Sequence, residues 1–406
     1  MSPAHSTPVE NIPDRRLMYC LFLIGFFAIF STTISKNPVL PLYSGAIGAD
    51  ETVIGLIATF SPLAGILFSF PIGVLSDYLG RRRLLITSGV VFLSAPLMYL
   101  FITDPLWLIP VRFFHGTATA ILGPVISAVI AERFPANKGQ MLGQYSSATL
   151  IGRTIAPLAG GAIITYFMMY PGLLPYRMVY IAAAIAAVPV FIMTLLYRED
   201  RSSSLNILPF SVFRESFVTF FSNSRLRGTA LVDMATYFAF GAFETFLPVF
   251  LSGQGIDPYE IGIIFAAQAL IIALTKPFFG KIADRIDKRI QIATGLLITG
   301  GSVAMITGVS TFSFFLLVSA VFGLGISLST VATSAYVADI ARKEQLGASM
   351  GALSSIMDIG HSAGPLITGV VITTAGYSTG FQVSFILAIA VTATFALSVR
   401  SCSNPK

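Results

Sequence analysis

Apolar residues run along this chain in long blocks separated by short polar stretches. A hydrocarbon layer about 30 Å thick needs roughly 20 mostly apolar residues per crossing helix. That ruler predicts twelve spans, at 17–43, 53–76, 84–103, 106–131, 141–169, 177–197, 229–252, 259–283, 291–310, 313–339, 346–375 and 377–400. Blocks such as Leu21-Phe22-Leu23-Ile24-Gly25-Phe26-Phe27 do not alternate apolar and polar positions as membrane strands do. The expected fold class is therefore an all-α membrane bundle. Pro62, Pro71, Pro124, Pro157 and Pro365 fall inside spans. In lipid, neighbouring helices tolerate such breaks.

Composition removes the soluble alternatives. The 406 residues would ordinarily suggest two or three soluble domains, but 55% are hydrophobic and only 11% charged, with mean hydropathy +0.81. Soluble chains carry about a quarter charged residues. Soluble enzymes, nucleic-acid binders and disordered proteins are excluded, and the lipid bilayer is the expected surrounding. Cys20 and Cys402 stand near opposite ends and frame no disulfide fold. The three His and two Cys show no metal-ligand spacing, and there is no nucleotide-binding Gly-Lys-Ser/Thr loop. No catalytic constellation, metal or cofactor is expected.

The net charge of +6 matters less than its placement. Twenty of the 25 Lys and Arg fall on one side of the bundle when the chain starts inside. They include Arg15, Arg16, Arg81 to Arg83, Arg133, Lys138, Arg225, Lys288, Arg289 and Arg400. The opposite loops, such as Tyr43–Thr52 and Gly253–Tyr259, are nearly free of them apart from Arg177. Basic residues mark the cytoplasmic side, so both termini are expected there, in a multi-pass protein of the cell (inner) membrane. The polar first sixteen residues, followed by no small-residue cleavage pattern, argue against a signal peptide. The expected organisation is a tail at 1–16, a six-helix lobe at 17–197, a central loop at 198–228, a second lobe at 229–400 and a tail at 401–406. Within the loop, Pro209 to Phe221 suits an amphipathic helix on the membrane face or a plain linker.

The two lobes are copies. A shift of 207 lays Val53-Ile54-Gly55-Leu56-Ile57 on Glu260-Ile261-Gly262-Ile263-Ile264, and Gly73 and Asp77 on Gly280 and Asp284. A shift of 208 lays Gly143, Gly152, Pro157 and Gly161 on Gly351, Gly360, Pro365 and Gly369. Six spans return the chain to its starting side, so the repeats are parallel. Such repeats point to a site between two lobes near the midplane.

Between spans two and three stands Gly73-Val74-Leu75-Ser76-Asp77-Tyr78-Leu79-Gly80-Arg81-Arg82-Arg83, with a degenerate copy at Gly280 to Arg289 between spans eight and nine. This resembles the loop signature of the major facilitator superfamily, and the resemblance covers about residues 17 to 400. Tyr78 departs from it, where a basic residue often follows the Asp; Arg285 keeps that residue in the second copy. The resemblance implies two pseudo-symmetric six-helix lobes, a monomeric unit and an inner gate involving Gly73, Asp77, Gly80, Arg81, Glu132, Asp284 and Arg285. It further implies that Asp77 meets span eleven near Gly347 and that Arg81 pairs with Glu132. The plainer reading of Arg81 to Arg83 is that they set topology. In span five, Gly143, Gly152, Ala156-Pro157 and Gly160-Gly161 resemble the pattern of the drug–proton antiporters, with Ala156 replacing the usual Gly. Small residues allow close helix approach, so these positions, with Gly360 and Pro365 in span eleven, read as packing surfaces. Arg112-Phe113-Phe114-His115-Gly116 resembles the span-four motif whose Arg is associated with proton coupling. His115 is a candidate titrating partner or a helix–helix hydrogen-bond donor.

Charges inside spans are costly and rarely idle. The first lobe's set is basic (Lys36, Arg112, Arg153); the second's is mostly acidic (Asp233, Glu244, Asp358), with Lys276 and His361. The duplication places Lys36 within one residue of the counterpart of Glu244, which predicts an ion pair across the outer half of the cavity. Asp358 and His361, three apart on one helix face, are expected either to carry the coupling proton together or to form a static bond, Asp358–His361 or Asp358–Arg153. Asp233 suits the dipole at the start of span seven, and Lys276 is expected to snorkel to the cytoplasm. The resemblance implies a proton-driven exporter of small organic molecules. An importer or facilitator of an anionic metabolite, and a non-transporting membrane sensor on the same fold, are the alternatives.

Overall fold

The computed structural model describes residues 15–198, 220–308, 310–341 and 346–400. All regular elements among them are helical. Span one is Arg15–Ile34 continued by Val39–Ala46, followed by Glu51–Leu79, Arg81–Tyr99, Leu108–Arg133, Lys138–Phe167 and Leu174–Leu196. The second lobe comprises Ser224–Gly253, Pro258–Ala283, Lys288–Met305, Phe312–Ile340 and the stretch Leu346–Arg400. That last stretch contains spans eleven and twelve, separated at Gly376, whose φ of 83° breaks the helix. Ten stretches are long and apolar enough to cross a membrane, one of them holding both final spans. Span three stands outside that set because Arg81, Arg82 and Arg83 open it and dilute its apolarity.

Two predicted boundaries move. Span one is interrupted, because Pro38 has no N–H to contribute to a helix. Span seven begins at Ser224, not at 229, capped by the Asn223 side chain accepting from the Arg225 amide at 2.9 Å. Phe220, assigned above to the loop, is buried among Leu226, Ala230, Val337 and Leu353. Most of the proposed amphipathic stretch lies outside the described residues.

The packing repeats with the sequence. In the first lobe span one packs on five and six, two on four, and three on four and six. In the second, seven packs on the stretch holding spans eleven and twelve, eight on ten, and nine on ten and again on that stretch. Even the caps correspond: Asp50 accepts from the Val53 amide at 2.8 Å, and Asp257, 207 residues later, forms a capping box with Glu260. Gly80 alone joins spans two and three, and its φ of 84° lies in the left-handed region that a β-carbon disfavours.

The lobes meet through span two on eleven and span five on eight. They press together at the end away from the basic loops, here called the far end. There a β-carbon on Gly161 would strike the Pro258 carbonyl, and one on Gly55 the Pro365 carbonyl. Thr52 donates to Thr373 at 2.9 Å, and Thr165 to Asp257 at 2.5 Å. Gly152 and Gly160 pack on span one, and Gly360 on Met234 of span seven. Pro157 offers its carbonyl to the close approach of Gly262. Gly143 differs from the packing role expected for it: it faces open space, as do its counterpart Gly351 and Gly123. All three lie nearer the basic end of their spans than Gly55 and Gly161 do.

This asymmetry predicts the response to one added methyl. Gly55→Ala should lower unfolding stability in detergent by about 1–3 kcal/mol through overpacking. Gly143→Ala should instead raise it by up to about 1 kcal/mol, since an open helical site gains helix propensity without a clash. Thermal unfolding of the two purified variants checks both values.

Candidate functional site

The interruption of span one carries Lys36 and Asn37 to the boundary between lobes, opposite span seven. Lys36 Nζ stands 2.5 Å from Glu244 Oε2, and Asn37 Nδ2 donates to Glu244 Oε1 at 2.8 Å. From span eleven, His361 Nε2 lies 3.3 Å from Glu244 Oε2 and 3.4 Å from Lys36 Nζ. Both carboxylate oxygens are therefore engaged, and groups from two other spans converge on one acid. Glu244 is only 8% exposed. Phe240 sets its ring edge-on to His361 with centroids 5.5 Å apart, and Tyr237 flanks the same imidazole. Phe240 and Phe243 in turn stack on Phe322, so the charged cluster rests on an aromatic wall.

The predicted pairing of Lys36 with Glu244 is thus present as a contact, with Asn37 and His361 added. Asn37 carried no chemical signal in sequence beyond its place before Pro38. His361 was visible as a membrane histidine, but its partner is Glu244. Asp358, expected beside it, joins neither His361 nor Arg153 by a hydrogen bond or ion pair among the described residues. Its Oδ2 lies against Gly65 of span two, 3.3 Å from where a β-carbon would be. Three residues turn a helix by about 300°, which here sends the two side chains to different neighbours.

Arg153 is exposed, within electrostatic reach of Lys36, Tyr237, Lys276 and His361. That places its charge in the space between lobes. Arg112 and His115 are 2% and 1% exposed, inside the first lobe. His115 packs against Phe92 and Tyr99, and among the described residues neither ring nitrogen has a hydrogen-bond partner. The expected helix–helix hydrogen bond is therefore not formed; the ring is held by aromatic packing. Asp233 lies nearly three turns into span seven, too deep for a terminal dipole role. It is 4% exposed and accepts from Thr333 Oγ1 at 3.0 Å. Lys276, expected to snorkel, is exposed and lines a cavity that Asp233 lines as well.

At the basic end, Arg81 pairs with Glu132 as the resemblance implied. The surroundings of Gly73, the Asp77 side chain and the side chains near Gly347 lie outside the described residues. Asp284 and Arg285, expected to mirror the gate, are exposed and form no ion pair among the described residues. The mirrored bond is instead Lys288 Nζ to Asp339 Oδ2 at 2.9 Å. A shift of 207 carries Arg81 onto Lys288 and Glu132 onto Asp339, so the signal was in the duplication rather than in the motif.

Comparison with known proteins decides the family. The model of the Major Facilitator Superfamily matches residues 21–260 and again 229–405. The chain belongs to the major facilitator superfamily. It is a transporter rather than an enzyme. It is 25% identical over 376 residues to an uncharacterised MFS-type transporter of Methanocaldococcus jannaschii, covering 90% of this chain and 95% of that one. It is 30% identical to the quinolone resistance protein NorA of Staphylococcus aureus over 123 residues, 30% of this chain and 32% of that protein. In fold it resembles a bacterial homologue of the human lysosomal transporter Spinster in an inward-facing, unoccupied conformation. The TM-score is 0.79 at 15% identity, over 96% and 98% of the two chains. A POT family transporter crystallised with 5-aminolevulinic acid matches with TM-score 0.76 at 14% identity, over 96% and 97%.

In this superfamily member the buried pair yields a quantitative test. Glu244→Gln leaves Lys36 without its counter-charge, a loss of about 3–5 kcal/mol for a buried pair. The double variant K36M/E244Q should be less destabilised than the sum of the singles by about 0.5–3 kcal/mol. Unfolding of the four proteins in detergent measures that coupling.

Proposed function

We propose that this protein is a proton-coupled secondary active transporter of the cell membrane. It exports small organic molecules by alternating access, with its basic end in the cytoplasm. The observation that carries this reading is the Lys36–Glu244 pair, which crosses between lobes where their far ends are closed. A buried carboxylate needs either a cation or a proton. With the far end shut, Lys36 supplies the cation. When the lobes part there, Lys36 withdraws and Glu244 takes a proton from the far side. Closing returns Lys36, which displaces the proton toward the basic end. His361, beside both groups, is its first acceptor, and Asp358, one turn nearer the basic end, is the next acid on that route. One proton moves inward as substrate moves outward, and the proton gradient is the only driving force required. Both lobes belong to one chain, which supports a working monomer.

The exporter-like spacing in span five and the partial likeness to NorA support the direction of transport. Arg153, exposed and without an ion-pair partner among the described residues, favours the competing reading of an anionic metabolite taken up or equilibrated. Inside-out vesicles with an imposed proton gradient, scanned with cationic, neutral and anionic compounds, separate the two. Substrate-dependent loss of the gradient is the expected result. Uptake into right-side-out vesicles that needs an inward proton gradient would instead mean symport, and a gradient-insensitive flux would mean facilitation. Transport lost in Lys36→Glu and in Glu244→Lys should return in the double swap; no rescue would remove the pair from the mechanism.

A further inference from the structure

Beside the Lys36 cluster, whose Tyr237 forms part of its lining, and toward the basic end of the second lobe lies a cavity of about 330 Å³. It sits at the lower edge of the volume range of small-molecule sites, about 300–1,000 Å³. Asp233 reaches it from span seven and Lys276 from span eight. These opposite charges share one cavity, yet no ion pair joins them, and Lys276 has no hydrogen-bond partner among the described residues. Asp233 spends Oδ1 on Thr333, while Oδ2 makes no hydrogen bond among the described residues. Met350, Leu353 and Met357 line one wall from span eleven, and Thr330, Val331 and Ser334 line another from span ten. Methionine side chains adapt to varied apolar shapes.

The acid is buried and the base is exposed, both line one cavity, and neither forms an ion pair with the other. A ligand carrying both charges answers both at once, and an apolar body fills the methionine wall. We infer that this cavity is the subsite for a zwitterionic amphiphile, its ammonium on Asp233 and its carboxylate on Lys276. The inference rests on the reading of the protein as a carrier of small organic molecules. It is independent of the direction of transport and of the coupling ion.

Three forms of one scaffold test it: 4-benzoylphenylalanine as the zwitterion, its methyl ester as the cation and its N-acetyl derivative as the anion. Binding to the purified full-length protein in detergent, with no gradient present, should favour the zwitterion by about tenfold over each, since each loses one charged contact. Asp233→Asn should erase the preference over the N-acetyl form and Lys276→Gln the preference over the ester, each leaving the other intact. Irradiation should place the benzophenone adduct on Met350 or Met357, a readout that requires neither variant to fold. Equal binding of the three forms, absence of binding, or adducts outside spans seven, eight, ten and eleven would overturn the inference. Because no transport is measured, failure here leaves the exporter reading standing, and failure of proton coupling leaves this binding pattern unchanged.

Discussion

A carboxylate and an ammonium withdrawn into a lipid-embedded bundle hold each other far more firmly than they would in water, and here they meet across the boundary of two lobes. Glu244 receives Lys36, Asn37 and His361 at once. The surrounding structure serves that meeting. Pro38 interrupts span one and brings Lys36 and Asn37 to the boundary. Phe240 and Tyr237 hold the His361 ring, and Gly55 and Gly161 let the far ends close tightly enough for the charges to touch. Removing either Lys36 or Glu244 leaves the other charge in low dielectric without its partner.

The scaffold is symmetric and the chemistry is not. Helix pairings, the N-caps at Asp50 and Asp257, and the ion pairs Arg81–Glu132 and Lys288–Asp339 all recur between the halves. The repeat breaks at the charges between lobes, where Lys36 stands near the counterpart of Glu244 and Arg153 stands opposite His361. Two like lobes supply a rocking frame. Unlike charges on its facing walls supply something for a proton or a substrate to compete for.

Different physics separates what was legible in the chain from what was not. All twelve spans were visible because lipid imposes a length of apolar residues on each helix, a one-dimensional constraint. The close-approach positions Gly55, Gly152, Gly161 and Gly360 fell within the repeat for the same reason: a duplicated frame repeats its small residues. The partner of His361 was missed because it depends on helix rotation and on which lobe faces it. Spacing three residues apart suggested Asp358; packing chose Glu244. The loop motif marks Asp284 and Arg285 at the basic end, whereas the register of the duplication leads from Arg81–Glu132 to the Lys288–Asp339 bond.

The sequence by itself determined the number of spans, the bundle class, the duplication and the segregation of basic residues to one end. Each of these is a sum over local composition or a fixed offset along the chain. Only the tertiary structure decided which buried charges touch, that Gly143 faces open space while Gly161 is packed, and that Asp233 and Lys276 share a cavity without pairing. Those outcomes turn on distances of a few ångströms between helices distant in the chain. Electrostatic and packing energies at such distances change steeply with helix rotation and depth, which no linear pattern specifies.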